Sequence, residues 1–506
     1  MAPIKRALAR AFSRTERVFE YAFGQRNNPF VSLGALGWYF YWIVAISGVY
    51  LYIFFDTGVT DAYASVEYMT HDQWYAAGLM RSLHRYASDA LVVVVVLHIF
   101  REFAHDRLRG RRFFAWLTGV PLLAFIYICG ISGYWLVWDQ LAQYIALATT
   151  EWLDTLPLFG EPIANNFLND TTLGGRFFTL MVFIHIFGPL FMLLMMWVHI
   201  QRHAGARVNP PKPLAIGTLA MLIALSFAYP AVSQAPADLD VVPAEVGLDW
   251  FYLAAYPLLD VVPGGQLWLY ILGGLALLAL LPWAPPVKRL PAAAVDLDNC
   301  NGCTRCFDDC PFGALTMVPR TDGRAYDLEP IVDPALCTSC GICAGSCPTS
   351  TPFRRAGPIR PGIELPHHTI GTLRDEVVGG EAAWRDGPRV LVFGCNTSNV
   401  GDLRRSGAHV IEVPCVGMLP PSFVDFALAR RHADGVMIAG CAEGDCYHRL
   451  GNEWTIARMA GERDPYLRRR VDTRRLALSW LPRDAARRRR RAFEAFRDTL
   501  AEMDDG

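Results

Sequence analysis

Eight residues at a fixed interval constrain the first two hundred positions of this chain more than any other feature. Gly34 and Gly48, His84 and His98, Gly119 and Gly133, and His185 and His199 form four pairs, each fourteen residues apart. Fourteen residues of α-helix rise about 21 Å and return to nearly the same face, so each pair marks two depths on one stripe of a bilayer-crossing helix. Two histidines on one helix facing two on another can clamp two hemes, one above the other. Glycine at matching depths of the other two helices removes the side chain where a flat macrocycle must lie against backbone. A lone histidine in an apolar span also fits a satisfied core residue or a proton path. Four at matched depths, each costly to bury unless something takes its lone pair, point to iron.

The chain has 506 residues, of which 53% are hydrophobic, with a mean hydropathy of +0.22. The apolar excess ends near residue 290, which describes a membrane domain with a soluble tail. Nearly charge-free segments at about 31–55, 86–100, 113–138, 177–200, 213–233 and 266–284 predict six spans. The intervening loops 56–78, 139–175 and 234–265 carry fourteen Asp and Glu and no Lys or Arg, whereas the opposite segments are basic. Both termini are therefore expected on the cytoplasmic side. The N-terminus reads as a basic amphipathic stretch on the inner surface, with no cleavable signal peptide. The net charge of −1 gives no reason to expect nucleic acid as a partner.

Helix direction places His84 and His185 towards the outer face and His98 and His199 towards the inner one. No C-x-x-C-H motif occurs, so the two hemes would be non-covalent, b-type. Arg81 and Arg85 interrupt the acidic outer side beside His84. Heme propionates would explain Arg81; Arg85 also fits an arginine snorkelling to the interface. Asp89, inside the second span, is a proton-path candidate.

The segments RSLHRYASDALVVVVVLHIFR, WLTGVPLLAFIYICGISGYWLVW and RFFTLMVFIHIFGPLFMLLMMWVHIQRH make residues 1–208 resemble the heme-bearing half of cytochrome b from quinol-oxidising bc-type complexes. The resemblance implies a homodimer and quinone sites on both faces. His203 stands where the family has a histidine contacting quinone at the inner site, one residue out of the family's spacing, and Arg176 stands farther ahead of His185 than the family's arginine. Residues 209–290 resemble a shortened second half with two spans. Its loop ends in LDWFYLAAYPLL, similar to the family's outer-site motif Pro-Glu-Trp-Tyr, with Leu248 in place of the proline and Asp249 in place of the glutamate. A semi-buried carboxylate there suits proton acceptance from quinol; an ordinary acidic loop residue is the other reading of Asp249.

Thirteen cysteines are present, and all but Cys129, which reads as a packed core residue, follow residue 299. On a reducing side, cluster ligation outweighs disulfides. CNGCTRCFDDCP and CTSCGICAGSCP are two copies of C-x2-C-x2-C-x3-C-P, in which three cysteines take three corners of a [4Fe-4S] cube and the fourth ligates the other cluster. Cluster one would use Cys300, Cys303, Cys306 and Cys347, and cluster two Cys337, Cys340, Cys343 and Cys310. Eight ligands in this register argue against zinc. Residues 291–355 look like a bacterial two-cluster ferredoxin, a small α+β domain.

After a Pro/Gly-rich linker, 356–388, the runs PRVLVFGC, AHVIEVPC and GVMIAGC over residues 389–483 read as buried parallel strands of an α/β domain. Cys395, Cys415 and Cys441 would converge at the carboxyl ends of those strands, with Cys446 in the next loop. Four cysteines suit one [2Fe-2S] cluster, with four-coordinate zinc as the other reading. GCAEGDCYHRLGN and its flanking strands resemble the iron-sulfur delta subunit of methyl-viologen-reducing hydrogenase, which passes electrons to the flavoprotein of heterodisulfide reductase. A single cysteine stands in FGCNTS where that family often has several. The tail 484–506 reads as a basic helical stretch, a solvated face by default, with a membrane-surface or partner contact as the other reading.

The architecture expected is an all-α membrane bundle, then a ferredoxin domain, then a parallel-sheet domain. The function expected is electron exchange between the quinone pool and a cytoplasmic flavoprotein or related oxidoreductase at a bacterial inner membrane. A membrane anchor or redox sensor is the alternative; fused clusters speak against an ordinary bc-complex subunit.

Overall fold

The computed structural model describes every residue except 1, 25–26, 106, 110–111, 158–162, 164–174, 202–207, 244, 285–289, 355–356, 381–386, 484 and 505–506. His203 lies outside the described residues, as does the side chain of Arg176. The rest falls into two compact units, one mainly within residues 27–285 and the other mainly within 286–506.

Helix α1 (Ala2–Phe23) is the basic N-terminal stretch. The first unit is then built from α2 (Leu33–Phe54), α3 (Asp61–His71), α4 (Leu79–Ala104), α5 (Phe113–Trp135), α6 (Gln140–Asp154), α7 (Gly175–Gln201), α8 (Lys212–Ala228) and α9 (Gly264–Leu280). A helix forms at each of the six places where a span is expected. Among the described residues, four stretches, Pro29–Phe54, Phe113–Trp135, Phe178–Gln201 and Gly264–Trp283, are long and apolar enough to cross a membrane. The other two fall short for separate reasons. Helix α4 has 26 residues but carries Arg81, Arg85, Asp89, Arg101 and Glu102. Helix α8 has 17 and ends ahead of Pro230, which holds the preceding Tyr229 out of helical geometry. Leu190, Leu194 and Trp197 of α7 and Leu269 and Leu272 of α9 are exposed, an apolar surface suited to lipid.

Inside the unit α2 packs on α4 and α5 on α7, around Phe40, Leu91, Ile126 and Met192. The loop that follows α8 returns across α5: a Cβ on Gly130 would sit 2.1 Å from ring carbons of Tyr252, so only glycine lets that ring lie on the helix.

The second unit opens with two small antiparallel pairs, β1 (Ala294–Val295) with β4 (Ile363–Glu364) and β2 (Leu315–Pro319) with β3 (Leu328–Val332). They carry the short helices α10 (Arg305–Asp308) and α11 (Ile342–Ser346). The stretch 356–388, expected as a linker, is structured in its described part: β4 closes the ferredoxin, and α12 (Ile370–Val378) buries Ile370, Leu373 and Val377. Its prolines and glycines conceal a periodic apolar face.

The C-terminal sheet is wholly parallel as the sequence predicts, in the order β6-β5-β7-β8, from β5 (Val390–Cys395), β6 (His409–Val413), β7 (Gly435–Gly440) and β8 (Leu476–Trp480). Central strands β5 and β7 are buried at every position, which is why they read as unbroken apolar runs. Helices α13 (Ser422–Ala429) and α14 (Gly451–Met459) follow β6 and β7. The basic tail is not only a solvated face. Helix α15 (Ala486–Asp504) buries Phe493, Phe496 and Leu500 against the sheet, an i, i+3, i+7 stripe hidden among arginines.

Candidate functional site

Helices α2 and α4 run antiparallel, and so do α5 and α7, so each glycine meets one histidine. A Cβ on Gly34 would lie 3.4 Å from His98 Cε1, on Gly48 3.0 Å from His84 Cε1, on Gly119 3.5 Å from His199 Cε1, and on Gly133 2.8 Å from His185 Cε1. What stands directly against each glycine is therefore the imidazole of the neighbouring helix. The missing side chain lets that ring turn flat along the backbone.

Backbone and hydroxyl groups then fix the rings. Nδ1 of His84 lies 2.9 Å from the Val44 carbonyl and 3.2 Å from Ser47 Oγ; Nδ1 of His185 lies 3.0 Å from the Cys129 carbonyl and 3.2 Å from Ser132 Oγ. His199 Nδ1 is 2.9 Å from Thr118 Oγ1. Each hydroxyl already donates to a carbonyl of its own helix, so it is left to accept. A carbonyl partner assigns the proton to Nδ1 and leaves the Nε2 lone pair for a metal. Sequence reasoning missed these groups, although the signal was present: Ser-Gly, Ser-Gly and Thr-Gly at 47–48, 132–133 and 118–119. Cys129 acts here through its carbonyl.

His84 and His185 face each other with ring centroids 6.3 Å apart. Two metal–nitrogen bonds of about 2 Å plus the half-widths of two imidazoles span the same distance, so this pair could hold a metal ion between its rings. His98 and His199 are also within electrostatic reach of each other.

Beside His84, the charged side chains turn inward. Arg85 Nη1 donates to Asp89 Oδ1 at 2.7 Å and to Asp249 Oδ2 at 2.9 Å, so Arg85 does not snorkel. The Asp249 side chain is 4% exposed, accepts from the Tyr134 hydroxyl, and takes the Phe251 N–H on Oδ1 at 2.8 Å. It is not a solvated loop acid. Arg81 donates to Thr70 and, at 2.8 Å, to Ser233 Oγ, and lies 3.7 Å from Glu67.

In the second unit the two cysteine runs fold alike. Gly302 and Thr304 in one, and Ser339 and Gly341 in the other, take left-handed conformations at φ +64°, +62°, +55° and +78°. Such alternation turns successive backbone N–H groups towards one concavity, the arrangement used to hold anionic iron–sulfur clusters. One cavity has Cys300, Cys303, Cys306 and Cys347 in its wall; another has Cys310, Cys337, Cys340 and Cys343. These are the two fours expected from the crossed register. Burial pushes the Cys306 and Cys340 thiols up to about 12, so thiolates there call for a cationic partner.

At the carboxyl ends of β5, β6 and β7 the structure gathers Cys395, Cys415, Cys441 and Cys446. Hydrogen bonds with Cys395 and Cys446, then burial, hold the Cys415 thiol well above the thiol range, while bonds from Cys395 and Cys446 hold Cys441 well below it. Val416 N–H points at Cys395 Sγ at 3.3 Å, and Thr397 Oγ1 lies 3.4 Å from Cys441 Sγ. Four sulfurs, each within hydrogen-bonding reach of two others, form a donor set suited to a metal or cluster.

Paired histidines in an apolar bundle, followed by cysteine cages in a second unit, define a membrane electron-transfer protein. Three family models match the chain in succession: cytochrome b/b6 over residues 20–204, the 4Fe-4S dicluster domain over 299–351, and the delta subunit of methyl-viologen-reducing hydrogenase over 390–504. The three matches follow one another as in the fusion expected and support an oxidoreductase-related membrane subunit, the cytochrome b match suggesting heme b and the dicluster match [4Fe-4S] clusters. Among solved structures, a chain titled hyperthermophilic respiratory complex III aligns over 50% of this chain and 75% of its own, with 21% identity and a TM-score of 0.42.

Proposed function

We propose that this chain carries electrons between the quinone pool and a cytoplasmic redox partner, a flavoprotein by the resemblance of its C-terminal segment, within a multisubunit complex of a bacterial inner membrane. The carrying observation is the order of sites along one chain: four histidines each set against a glycine of the neighbouring helix, two cages of four cysteines, then a third four-cysteine site. Two b hemes, two [4Fe-4S] clusters and one [2Fe-2S] cluster, when bound, supply one-electron chemistry.

The protein's own groups do the rest. His84 with His185, and His98 with His199, would hold iron through Nε2 while Val44, Cys129 and Thr118 hold the rings. Arg85 pairs with Asp249 Oδ2 beside an exposed Trp250, and Oδ1, which accepts one bond from Phe251, retains a lone pair for a quinol proton. Acid-only loops on one side and basic segments on the other support a cytoplasmic location for the termini and all three cysteine sites.

The test is the purified chain in quinone-loaded liposomes, with its clusters reduced from the cytoplasmic-facing side while heme absorbance and quinone are followed together. Heme reduction followed by quinone turnover is expected. Asp249→Asn is expected to keep heme reduction and slow outer-site quinol oxidation by at least about 100-fold, the usual scale for a lost proton acceptor. Reduced clusters with hemes and quinone untouched in both directions would leave a membrane anchor or redox sensor instead.

A further inference from the structure

One fully buried arginine joins the ferredoxin to the C-terminal sheet. The Arg458 side chain on α14 is 0% exposed. Its guanidinium donates to the Gly417 carbonyl at 2.8 Å, to Asp309 Oδ2 at 2.5 Å and, at the limit of a hydrogen bond, to the Ile342 carbonyl at 3.5 Å. Asp309 directly precedes Cys310, Ile342 sits between Cys340 and Cys343, and Gly417 lies two residues beyond Cys415. One cation is thus bonded to a carboxylate and a backbone carbonyl beside cluster-two ligands, and to a second carbonyl close to a ligand of the third site.

The contact it closes is tight. A Cβ on Gly345 would fall 2.0 Å from the Gly417 carbonyl oxygen, and one on Gly451 would fall 2.1 Å from Cys415 Sγ. The Ile342 side chain fills what remains, 2.9 Å from a Cβ placed on Gly417 and 3.6 Å from one on Gly451. Asp309 is secured twice more, by Arg463 and by Trp454 Nε1 on its carbonyl at 3.2 Å, and Arg463 lies 3.6 Å above the Trp454 ring. Burying a guanidinium at this point is costly. One carboxylate partner, with cluster thiolates on both sides, is the setting that offsets it.

We propose that cluster two, rather than cluster one, exchanges electrons with the Cys395–Cys415–Cys441–Cys446 centre across Ile342 and Gly417, and that Arg458 is the positioning residue of this junction. In the step, one electron leaves reduced [4Fe-4S], which is oxidised, and enters oxidised [2Fe-2S], which is reduced; no proton or further reactant takes part. This rests on reading the third site as a [2Fe-2S] centre. A buried positive charge beside both centres favours their reduced, more negative states.

The experiment is electron paramagnetic resonance on the full-length, iron-replete protein titrated with dithionite. In the unaltered protein the [2Fe-2S] signal is expected to broaden as a [4Fe-4S] cluster is reduced beside it. Arg458→Gln is expected to lower the reduction constants of the [2Fe-2S] centre and one [4Fe-4S] cluster about tenfold, which is about 59 mV for one electron; Arg458→Lys is expected to restore most of this. Arg320→Gln identifies the other cluster, because Arg320 donates to the Cys300 carbonyl at 2.9 Å. A [2Fe-2S] signal without spin coupling, or coupled to the cluster that Arg320→Gln moves, overturns the junction alone. So do unmoved potentials in a folded Arg458→Gln. Absence of a [2Fe-2S] signature overturns both the junction and the reading it rests on. Should Arg458→Gln not fold, the coupling in the unaltered protein decides.

Discussion

At the scale of single residues, the four glycines are not equivalent, and their clearances rank them. Ordinary contact separates a Cβ on Gly119 from His199 at 3.5 Å, whereas on Gly133 it would meet His185 at 2.8 Å, on a ring already held by Cys129 and Ser132. Gly119→Ala is expected to leave heme content unchanged, and Gly133→Ala to lower occupancy of the His84–His185 pair severalfold while the other pair stays loaded. Heme quantification with low-temperature absorption spectra checks this; equal loss in both variants would remove steric clearance as the reason for glycine. The spacing of these eight residues was legible because a helix converts sequence interval into depth. Arg85 was not. Its partner Asp249 lies 164 positions away, on a loop brought over α5 by the Tyr252–Gly130 contact, and no interval in the sequence encodes that meeting. Read alone, a charge near a span end looks like snorkelling; only the fold supplies the second carboxylate.

Elements were legible where periodicity or repetition imposed them, as in the two cysteine runs and the fully buried strands β5 and β7. Strand β8 was missed because its positions are mostly half-exposed, as befits an edge strand, so no apolar run marks it. Helix α15 was misjudged for the opposite reason: arginines outnumber the three apolar residues it buries. The cysteine loops give the prediction that belongs here. Gly302 combines φ +64° with a backbone neighbour, the Leu328 carbonyl oxygen, only 2.5 Å from where a Cβ would stand. Gly302→Ala is expected to destabilise the loop by more than about 1 kcal/mol and to deplete cluster one. Thr304, left-handed without being glycine, carries the converse cost; Thr304→Gly is expected to keep the cluster and resist thermal loss of its absorbance slightly better. Iron content and the melting of the 400 nm region would show it, and a stable, fully loaded Gly302→Ala would refute the steric argument.

At the scale of the second unit as a whole, one apolar core runs from the ferredoxin into the C-terminal sheet. Ile342, Ala344 and Cys343 belong to the same buried cluster as Val416, Met418 and Phe423. The ferredoxin has only two small strand pairs, and four of its cluster cysteines, Cys306, Cys340, Cys343 and Cys347, are themselves buried. A segment of this size buries too little apolar surface to stand without metal. The sheet does not share this weakness, since β5 and β7 are buried at every position and α15 seals one face. Iron removal should therefore unfold the unit in a defined order. Hydrogen exchange on the chelated protein is expected to show protection lost at Ile342–Ser346 and, through the shared core, at Val416–Met418, with β5 and β7 still protected. Loss confined to the ferredoxin would mean that the Arg458 contact transmits nothing, and loss across the whole sheet would mean that the third cysteine site, not its apolar core, holds the C-terminal domain together. The expected pattern lies between these two because Arg458 and Ile342 couple the segments beside Cys415, while the buried cluster beneath α15 contains no cysteine.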